Sequence, residues 1–140
     1  NQVETHPHNQ QKTAHEWMSK YGVVHEAWAP FGEGRGGLFT DPVLQKIGAK
    51  YGKTTAQVIL RWHLQRGVVV IPKSTHKERM AENLNVFDFT LSDDDMKEIA
   101  ALDKEQSSFF SHTDPNMVEW FVKIVEERKG ATEDNAKKNW

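Results

Sequence analysis

Apolar residues along this chain fall into short unbroken runs and longer stretches with helical spacing. Residues 68–71 are four successive β-branched residues, a run typical of a parallel strand buried on both faces. Shorter strand-like runs cover residues 1–5 and 23–28. Elsewhere, apolar residues recur every three or four positions, which predicts helices. We expect these helices at residues 10–21, 42–51, 55–66, 77–84, 93–102 and 115–125.

Capping residues and a proline mark the starts of several predicted helices. Pro42 suits the first turn of a helix, and the carboxylates of residues 93–95 are stabilised by the positive end of a helix dipole. Residues 86–89 alternate in polarity and fit either a short strand or a covering loop. The predicted helix caps are Thr40 or Asp41, Thr54 or Thr55, Ser92, and Thr113 or Asp114.

The predicted elements follow one another as strand, helix, strand, two helices, strand and helix. This order is typical of an α/β protein with parallel strands and flanking helices. About three strands leave two open sheet edges, whereas a closed barrel leaves none, so we expect the chain to be part of a larger domain. Its first residue is Asn rather than Met, and Val3 already lies in a strand-like run. We therefore expect the chain to begin within the fold.

Composition and charge indicate a globular domain and argue against a nucleic-acid-binding or membrane-spanning protein. With 140 residues, 37% of them hydrophobic and 27% charged, the chain has the composition of a globular domain. A formal net charge of -2 and the absence of a long basic run argue against a nucleic-acid partner. No apolar run is long enough to span a membrane. The absence of cysteine excludes disulfides and thiolate chemistry, so we expect a cytoplasmic location.

A polar loop follows the apolar run at residues 68–71. Pro72 ends the strand because it cannot donate to a sheet ladder, and Lys73 and Ser74 follow at the carboxyl end, where α/β folds bind ligands. The next helix offers free backbone N–H groups, and Arg79 adds a planar cation one turn into it. These features suit a phosphate. An ordinary βα turn with solvated charges explains the same residues, and both interpretations stay open at this point.

Four short motifs follow one another along the chain. They are Asn-Gln-Val-Glu with His-Pro at residues 1–7, Ala-Trp-Ala-Pro-Phe-Gly at 27–32, Lys-Thr-Thr-Ala-Gln-Val at 53–58, and Ile-Pro-Lys-Ser at 71–74. In this order and spacing they resemble the sixth strand, the end of the seventh strand, the helix before the eighth strand and the cofactor-phosphate motif of the aldo-keto reductases. Members of that family are (β/α)8 barrel enzymes that use NADPH. One such motif is weak, but four in series are specific.

The resemblance implies an α/β fold that is a partial (β/α)8 TIM barrel of parallel strands with flanking helices. Residues 1–112 would be the carboxyl-terminal part of the barrel, with strands six to eight, and residues 113–140 the terminal helix and tail. The family's catalytic Asp, Tyr, Lys and His come from the first half of the barrel, which this chain lacks. No catalytic residue is therefore assigned to it.

The resemblance also implies an NADPH site at the carboxyl ends of the strands. Gln2 would contact the nicotinamide carboxamide. Trp28 would stack on the nicotinamide ring, at a position where the family often has Tyr. The residues along the pyrophosphate would be Ala29, Pro30, Phe31 and Gly32, together with the glycine-rich loop up to residue 37.

The adenosine end of the implied site lies after the third strand. Glu82 and Asn83 would approach the adenine. Arg79 should favour NADPH over NADH, because a fixed cation gains most from the additional phosphate charge. The residues around the phosphate on the adenosine ribose would be Lys73, Ser74, Thr75 and Arg79.

The histidines and tyrosines of the chain do not fill the missing catalytic roles. The spacing of His6 and His8 permits a metal pair, but no third ligand is nearby. In the resemblance His6 belongs to the family's His-Pro pair, which we interpret as structural. We expect His8 and His25 to be surface or strand-end residues. Tyr21 and Tyr51 lie on apolar helix faces and suit packing positions. Packing under the last helix is a commoner role than an apolar substrate mouth for the aromatic residues Phe109, Phe110 and Trp120.

Two functions stay open from the sequence. The first is an NADPH-dependent aldo-keto reductase, whose complete form passes a hydride to the carbonyl of an aldehyde, ketone or keto-sugar. This chain would carry most of the cofactor site. The second is a non-catalytic half-barrel that binds a nucleotide or interacts through its open sheet edges. The expected macromolecular partner is the missing amino-terminal half of the barrel or a second copy of the chain.

Overall fold

A computed structural model of the chain describes residues 1–111 and 113–138, with side chains described up to residue 128. The chain divides into two compact units, Asn1–Ser108 and Phe109–Trp140. His112 and residues 139–140 lie outside the described residues, so the domain boundary expected after residue 112 stays a prediction.

The first unit is built on a three-stranded parallel sheet in the order β1-β2-β3. Ala27, at the centre of β2, pairs with Val3 on one side and with Val70 on the other. The parallel α/β arrangement expected from the sequence is therefore confirmed. The strands are β1 (Gln2–Glu4), β2 (Glu26–Trp28) and β3 (Val69–Val70).

Five α-helices accompany the sheet in the first unit. They are α1 (Lys12–Lys20), α2 (Pro42–Tyr51), α3 (Thr55–Gln65), α4 (Lys77–Leu84) and α5 (Asp93–Ala100). Asp41 caps α2, whereas Thr54 and Ser92 begin α3 and α5 with capping boxes, in which the third helical residue bonds back to the cap. Two short 3-10 turns, Gly32–Gly34 and Leu38–Thr40, lie between β2 and α2, and residues 86–89 form a loop.

The main hydrophobic core lies between α2, α3 and α5. Gly48 of α2 permits a close approach of the loop that leads into α3, because a Cβ atom there would lie 2.5 Å from the backbone oxygen of Lys53. This packing fixes where the first turn of α3 lies. The buried core residues are Leu38, Leu44, Ile47, Val58, Ile59, Trp62, Leu91 and Ile99.

The strand at residues 68–71 is less buried than its composition predicts. Val68 is 1% exposed, but Val69 is 43% and Ile71 is 47% exposed. In the part of the chain that the structure describes, no strand pairs with the outer edge of β3, so neighbouring side chains stay uncovered. The prediction of a strand buried on both faces is therefore wrong for this chain.

Two histidines expected at the surface or at a strand end are buried. His8 is 6% exposed and His25, which directly precedes β2, is 2% exposed. The ring nitrogens of His25 lie 2.8 Å from the hydroxyl of Thr5 and 2.9 Å from a ring nitrogen of His15. Burial, with smaller effects of His15 and Arg66, lowers the pKa of His25 to about 4. The surface interpretation is wrong for both histidines, and His25 is a strand-end residue.

Residues 99–108 return to β1 and close the first unit. The buried carboxylate of Glu4 accepts hydrogen bonds from the backbone N–H of Ser108, at 2.8 Å, and from the hydroxyl of Ser107. A ring nitrogen of His6 lies 2.9 Å from the same carboxylate. His6 therefore has a structural role in holding this segment.

The two tyrosines have different surroundings. Tyr51 is half-buried, and its hydroxyl donates a hydrogen bond to Asp95. Tyr21 is 68% exposed and stacks on Trp17 with ring centroids 5.9 Å apart. The expected packing position is confirmed for Tyr51 and wrong for Tyr21, because Tyr21 lies on the outer side of α1.

The second unit contains α6 (Asn116–Lys138). The carboxylate of Asp114 accepts a hydrogen bond from the backbone N–H of Asn116 at 2.9 Å, so Asp114 rather than Thr113 satisfies the start of this helix. Phe110 packs edge-to-face on Phe121 with ring centroids 4.9 Å apart, which favours the packing role for this aromatic group. Among the helices that the structure describes, none combines the length and apolar character that crossing a membrane requires.

Candidate functional site

A cleft of about 1010 Å³ opens beside the carboxyl ends of β2 and β3. Parallel neighbouring strands bring their carboxyl ends to the same edge of a sheet, so the loops after β2 and β3 line the cleft together. Nine of the twelve residues predicted to bind the cofactor line it. They are Trp28, Ala29, Pro30, Phe31, Lys73, Ser74, Arg79, Glu82 and Asn83.

The other three predicted residues do not line this cleft. Gln2 lies on β1, where its side-chain amide donates a hydrogen bond to Glu26 of β2. Gly32 is buried, and a Cβ atom there would lie 3.4 Å from Leu38. Thr75 is exposed in the loop before α4. Cofactor contacts of these three residues stay predictions.

One end of the cleft is aromatic. Trp28 is half-buried at the end of β2, and Phe31 packs against Phe39 with ring centroids 5.5 Å apart. Between them, Ala29 has a backbone φ of 49°, a left-handed conformation that is uncommon for a residue with a side chain. This turn leads the chain out of β2 and along the cleft wall.

The other end of the cleft is cationic. The hydroxyl of Ser74 accepts a hydrogen bond from the backbone N–H of His76 at 3.1 Å, which holds the turn before α4. His76 makes no side-chain cap, so it leaves the first backbone N–H groups of α4 without this acceptor. Within the described residues, Lys73 and Arg79 have no carboxylate at ion-pair distance. Both cations are therefore available to an anionic ligand.

The first turn of α3 forms a third wall that the sequence did not indicate as part of the site. Thr54, Thr55 and Ala56 line the cleft there. The motif at residues 53–58 predicts a helix start, but nothing in the local pattern shows what that start faces. Glu33 and Gly34, from the glycine-rich loop expected along the pyrophosphate, also line the cleft. Phe39 and Ile71 line it as well, although the sequence did not indicate them.

The chemistry of the cleft fits NADPH. An aromatic end suits a flat nicotinamide ring, and two cations beside a helix start suit phosphate groups. Glu82 and Asn83 add an acceptor and an amide that suit the edge of a nucleobase. Among the described residues, no three His, Asp or Glu side chains are grouped so as to hold a metal ion.

Known proteins are similar in sequence to most of this chain. A model of the aldo/keto reductase family matches residues 1–104. The methylglyoxal reductase DkgA of Escherichia coli (strain K12) is 46% identical over 104 residues, which are 74% of this chain and 38% of that protein. The glyoxal reductase of Bacillus subtilis (strain 168) is 47% identical over 106 residues, which are 76% of this chain and 38% of that protein. The chain thus spans 38% of the length of each relative.

Solved structures share the fold. The crystal structure of Gox0644 in its apo form has a TM-score of 0.75 and 43% identity, and the match covers 79% of this chain and 40% of that chain. A mutant of Gox0644 in complex with NADPH has a TM-score of 0.73 and 44% identity, covering 83% of this chain and 41% of that chain. The fold is that of part of a TIM barrel, as expected. The chain belongs to the aldo/keto reductase family.

Proposed function

We propose that this chain is the carboxyl-terminal portion of an NADPH-dependent aldo-keto reductase, with barrel strands six to eight and the terminal helices. Residues 1–112 would belong to the barrel, and residues 113–140 would form the terminal helix and tail. The observation that supports this best is that residues after β2 and residues after β3 line one and the same cleft. The proposed compartment is the cytoplasm, because the chain contains no cysteine.

The nicotinamide end of the cofactor is assigned to β2. Trp28 would offer its ring face for stacking, and Gln2 would offer its amide to the carboxamide. The left-handed turn at Ala29 supports a backbone path beside the pyrophosphate. The residues along that path would be Ala29, Pro30, Phe31 and Gly32.

The adenosine end is assigned to the loop after β3 and to α4. The guanidinium of Arg79 suits bidentate hydrogen bonds with the phosphate on the adenosine ribose, and Lys73 adds a point charge. Glu82 and Asn83 would bind the adenine edge. The remaining phosphate contacts would come from the hydroxyls of Ser74 and Thr75.

When bound, NADPH supplies the hydride that reduces a carbonyl to an alcohol. The residues of this chain hold and orient the cofactor. The proton donor and the group that orients the carbonyl are assigned to the first half of the barrel, outside this chain. Because relatives are named for methylglyoxal and glyoxal, we propose a small aldehyde or ketone as substrate of the complete protein, with a keto-sugar as the alternative.

Cofactor binding by the 140-residue chain tests this proposal. The chain is titrated with NADPH and with NADH, and the fluorescence of the reduced nicotinamide is followed. We expect saturable NADPH binding and at least about 100-fold weaker NADH binding, because only NADPH carries the phosphate that Lys73 and Arg79 neutralise. Equal affinities, or no binding of either cofactor, would contradict the proposal.

Turnover by the same chain tests where the catalytic groups lie. The chain alone should not reduce methylglyoxal with NADPH, because it lacks the assigned proton donor. If it does, and if Trp28→Ala abolishes the rate, then catalytic groups lie within these 140 residues. Their assignment to the first half of the barrel would then be wrong.

The open edge of β3 favours a second candidate, a non-catalytic half-barrel that binds a partner through its sheet edges. Val69, Met80, Leu84 and Phe87 are 43%, 50%, 73% and 70% exposed and line an apolar cleft of about 530 Å³. The partner would be the amino-terminal half of the barrel or a second copy. Sedimentation across a concentration series tests the second copy, since a monomer at all concentrations would exclude self-pairing.

A further inference from the structure

The capping box of α3 is bonded directly to the end of α4. The hydroxyl of Thr54 donates a hydrogen bond to Glu82 Oε1. The side-chain amide of Gln57, the other member of the box, donates to the backbone oxygens of Glu82, at 3.2 Å, and Asn85, at 2.9 Å. The two members of the box therefore hold residue 82 by its carboxylate and by its carbonyl.

This contact lies in the cleft, since both Thr54 and Glu82 line it. A carboxylate oxygen accepts hydrogen bonds, so a ligand group that binds to it must be a donor, such as the exocyclic amino group of adenine. Thr54 engages Oε1, and within the described residues Oε2 has no hydrogen bond. One oxygen of Glu82 is thus held while the other is available to a ligand.

We propose that Thr54 is a positioning residue that orients the Glu82 carboxylate for recognition of the adenine amino group. The inference rests on the proposed function and adds to it a residue from another helix. Its basis is the hydrogen bond that joins the start of α3 to a cleft-lining carboxylate of α4. A hydroxyl fixed by a helix cap is a rigid donor, because the same oxygen also accepts from the backbone N–H of Gln57 at 3.3 Å.

The surrounding contacts do not depend on the hydroxyl of Thr54. Lys53 lies 2.7 Å from Asp88, and the amide of Gln57 holds the carbonyls at the end of α4. The bonds of Gln57 hold α3 to the end of α4, and the Lys53–Asp88 pair joins the segments next to these helices, so both remain when the side chain at position 54 is changed. Substitutions there can therefore separate orientation of the carboxylate from the position of its helix.

Two substitutions separate the positioning role from helix capping. Thr54→Ser keeps both the cap and the hydroxyl donor. Thr54→Asp keeps a strong cap, but its carboxylate cannot donate to Glu82 and repels it. Thr13→Val, at an exposed position of α1 outside the cleft, is the matched control.

Each 140-residue chain is titrated with NADPH and with its purine analogue, in which a hydrogen atom replaces the amino group of adenine. The ratio of the two dissociation constants isolates recognition of that group, because the ring nitrogens of the two bases have the same acceptor roles. We expect a ratio of about ten for the wild type, Thr54→Ser and Thr13→Val, and about two or less for Thr54→Asp.

The possible outcomes distinguish this inference from the proposed function. An unchanged ratio in Thr54→Asp, or equal binding of both molecules by the wild type, would overturn the positioning role and leave NADPH binding intact. Binding of neither molecule by the wild type would overturn both proposals. A lowered ratio in Thr54→Asp that Thr54→Ser does not share would support the positioning role, because a loss of helix capping alone predicts no such ratio.

Discussion

Positive side chains in the cleft and in the helical layer beside it have opposite surroundings. In the helical layer, Lys53 lies 2.7 Å from the carboxylate of Asp88, and its side chain is 10% exposed. In the cleft, Lys73 and Arg79 are exposed and have no carboxylate at ion-pair distance among the described residues. Lysines that hold helices together are paired within the fold, whereas the cations of the cleft are left for a ligand.

The same contrast holds for carboxylates. Asp95 at the start of α5 accepts hydrogen bonds from Tyr51, Ser92 and Lys50. These partners of its carboxylate all lie in the helical layer. Glu82 lines the cleft and has one bonded carboxylate oxygen. Substitutions in the helical layer should therefore change stability, and substitutions in the cleft should change ligand binding.

Arg79→Ala should have the largest effect. We expect about 100-fold weaker NADPH binding, because the variant loses charge-assisted hydrogen bonds to a phosphate, and an almost unchanged free energy of unfolding. Titration with NADPH and urea unfolding measure the two quantities. Lys77→Ala, an exposed cation of α4 outside the cleft, is the control. Equal losses of affinity in both variants would show that only general charge matters.

Acid should weaken the scaffold through His25. Its folded pKa of about 4 lies below the ordinary value of 6.5, so between these values the unfolded chain binds more protons than the folded chain. The contribution of neutral His25 to the free energy of unfolding is therefore nearly full above pH 6.5 and is lost as the pH falls towards 4. Between pH 7 and pH 5 we expect His25 to cost about 2 kcal/mol of unfolding free energy.

Urea unfolding at pH 7, 6 and 5 measures this loss. His25→Gln keeps a hydrogen-bonding side chain but cannot gain the proton, so it should show a smaller decrease between pH 7 and pH 5. A decrease of the same size in the variant and the wild type would assign the acid sensitivity to other groups.

Asp95→Asn should lower the free energy of unfolding by about 1.5 kcal/mol and leave NADPH binding unchanged. Burial alone would raise the pKa of Asp95, but hydrogen bonds from Tyr51, Ser92 and Lys50 hold it well below its usual range. The ionised form is therefore part of the native network. Asp94→Asn, at a side chain that is 87% exposed, should change stability by less than about 0.5 kcal/mol. Similar losses in both variants would contradict the special role of Asp95.

Lys53→Met should have the smallest effect. Asp88, its partner, is 55% exposed, so solvent screens the pair and we expect a loss of about 1 kcal/mol or less. NADPH affinity should not change, whereas Lys73→Met should weaken it by roughly tenfold. NADPH titration of the two variants side by side provides the measurement. A comparable decrease in both would remove the distinction between paired and available lysines.

Much of the fold follows from local features of the sequence. The helix starts at Thr54 and Ser92 depend on residues within three positions, and each forms the capping box that its pattern allows. The parallel order of strands was also predictable, and with it the meeting of Trp28 with Lys73 and Arg79 at one sheet edge. Residues after neighbouring parallel strands converge whatever the details of packing.

Contacts between distant segments decided the rest. The first turn of α3 lines the cleft because α3 packs on α2 in the core and Thr54 bonds to Glu82 of α4, and no periodicity reports those contacts. His25 is buried because Thr5 and His15, from other elements, contact it. The sequence by itself therefore determined the elements, their parallel order and the cations that follow β3. Only the tertiary structure decided that Thr54 reaches Glu82 and that His25 is buried, because both depend on which segments lie beside each other in space.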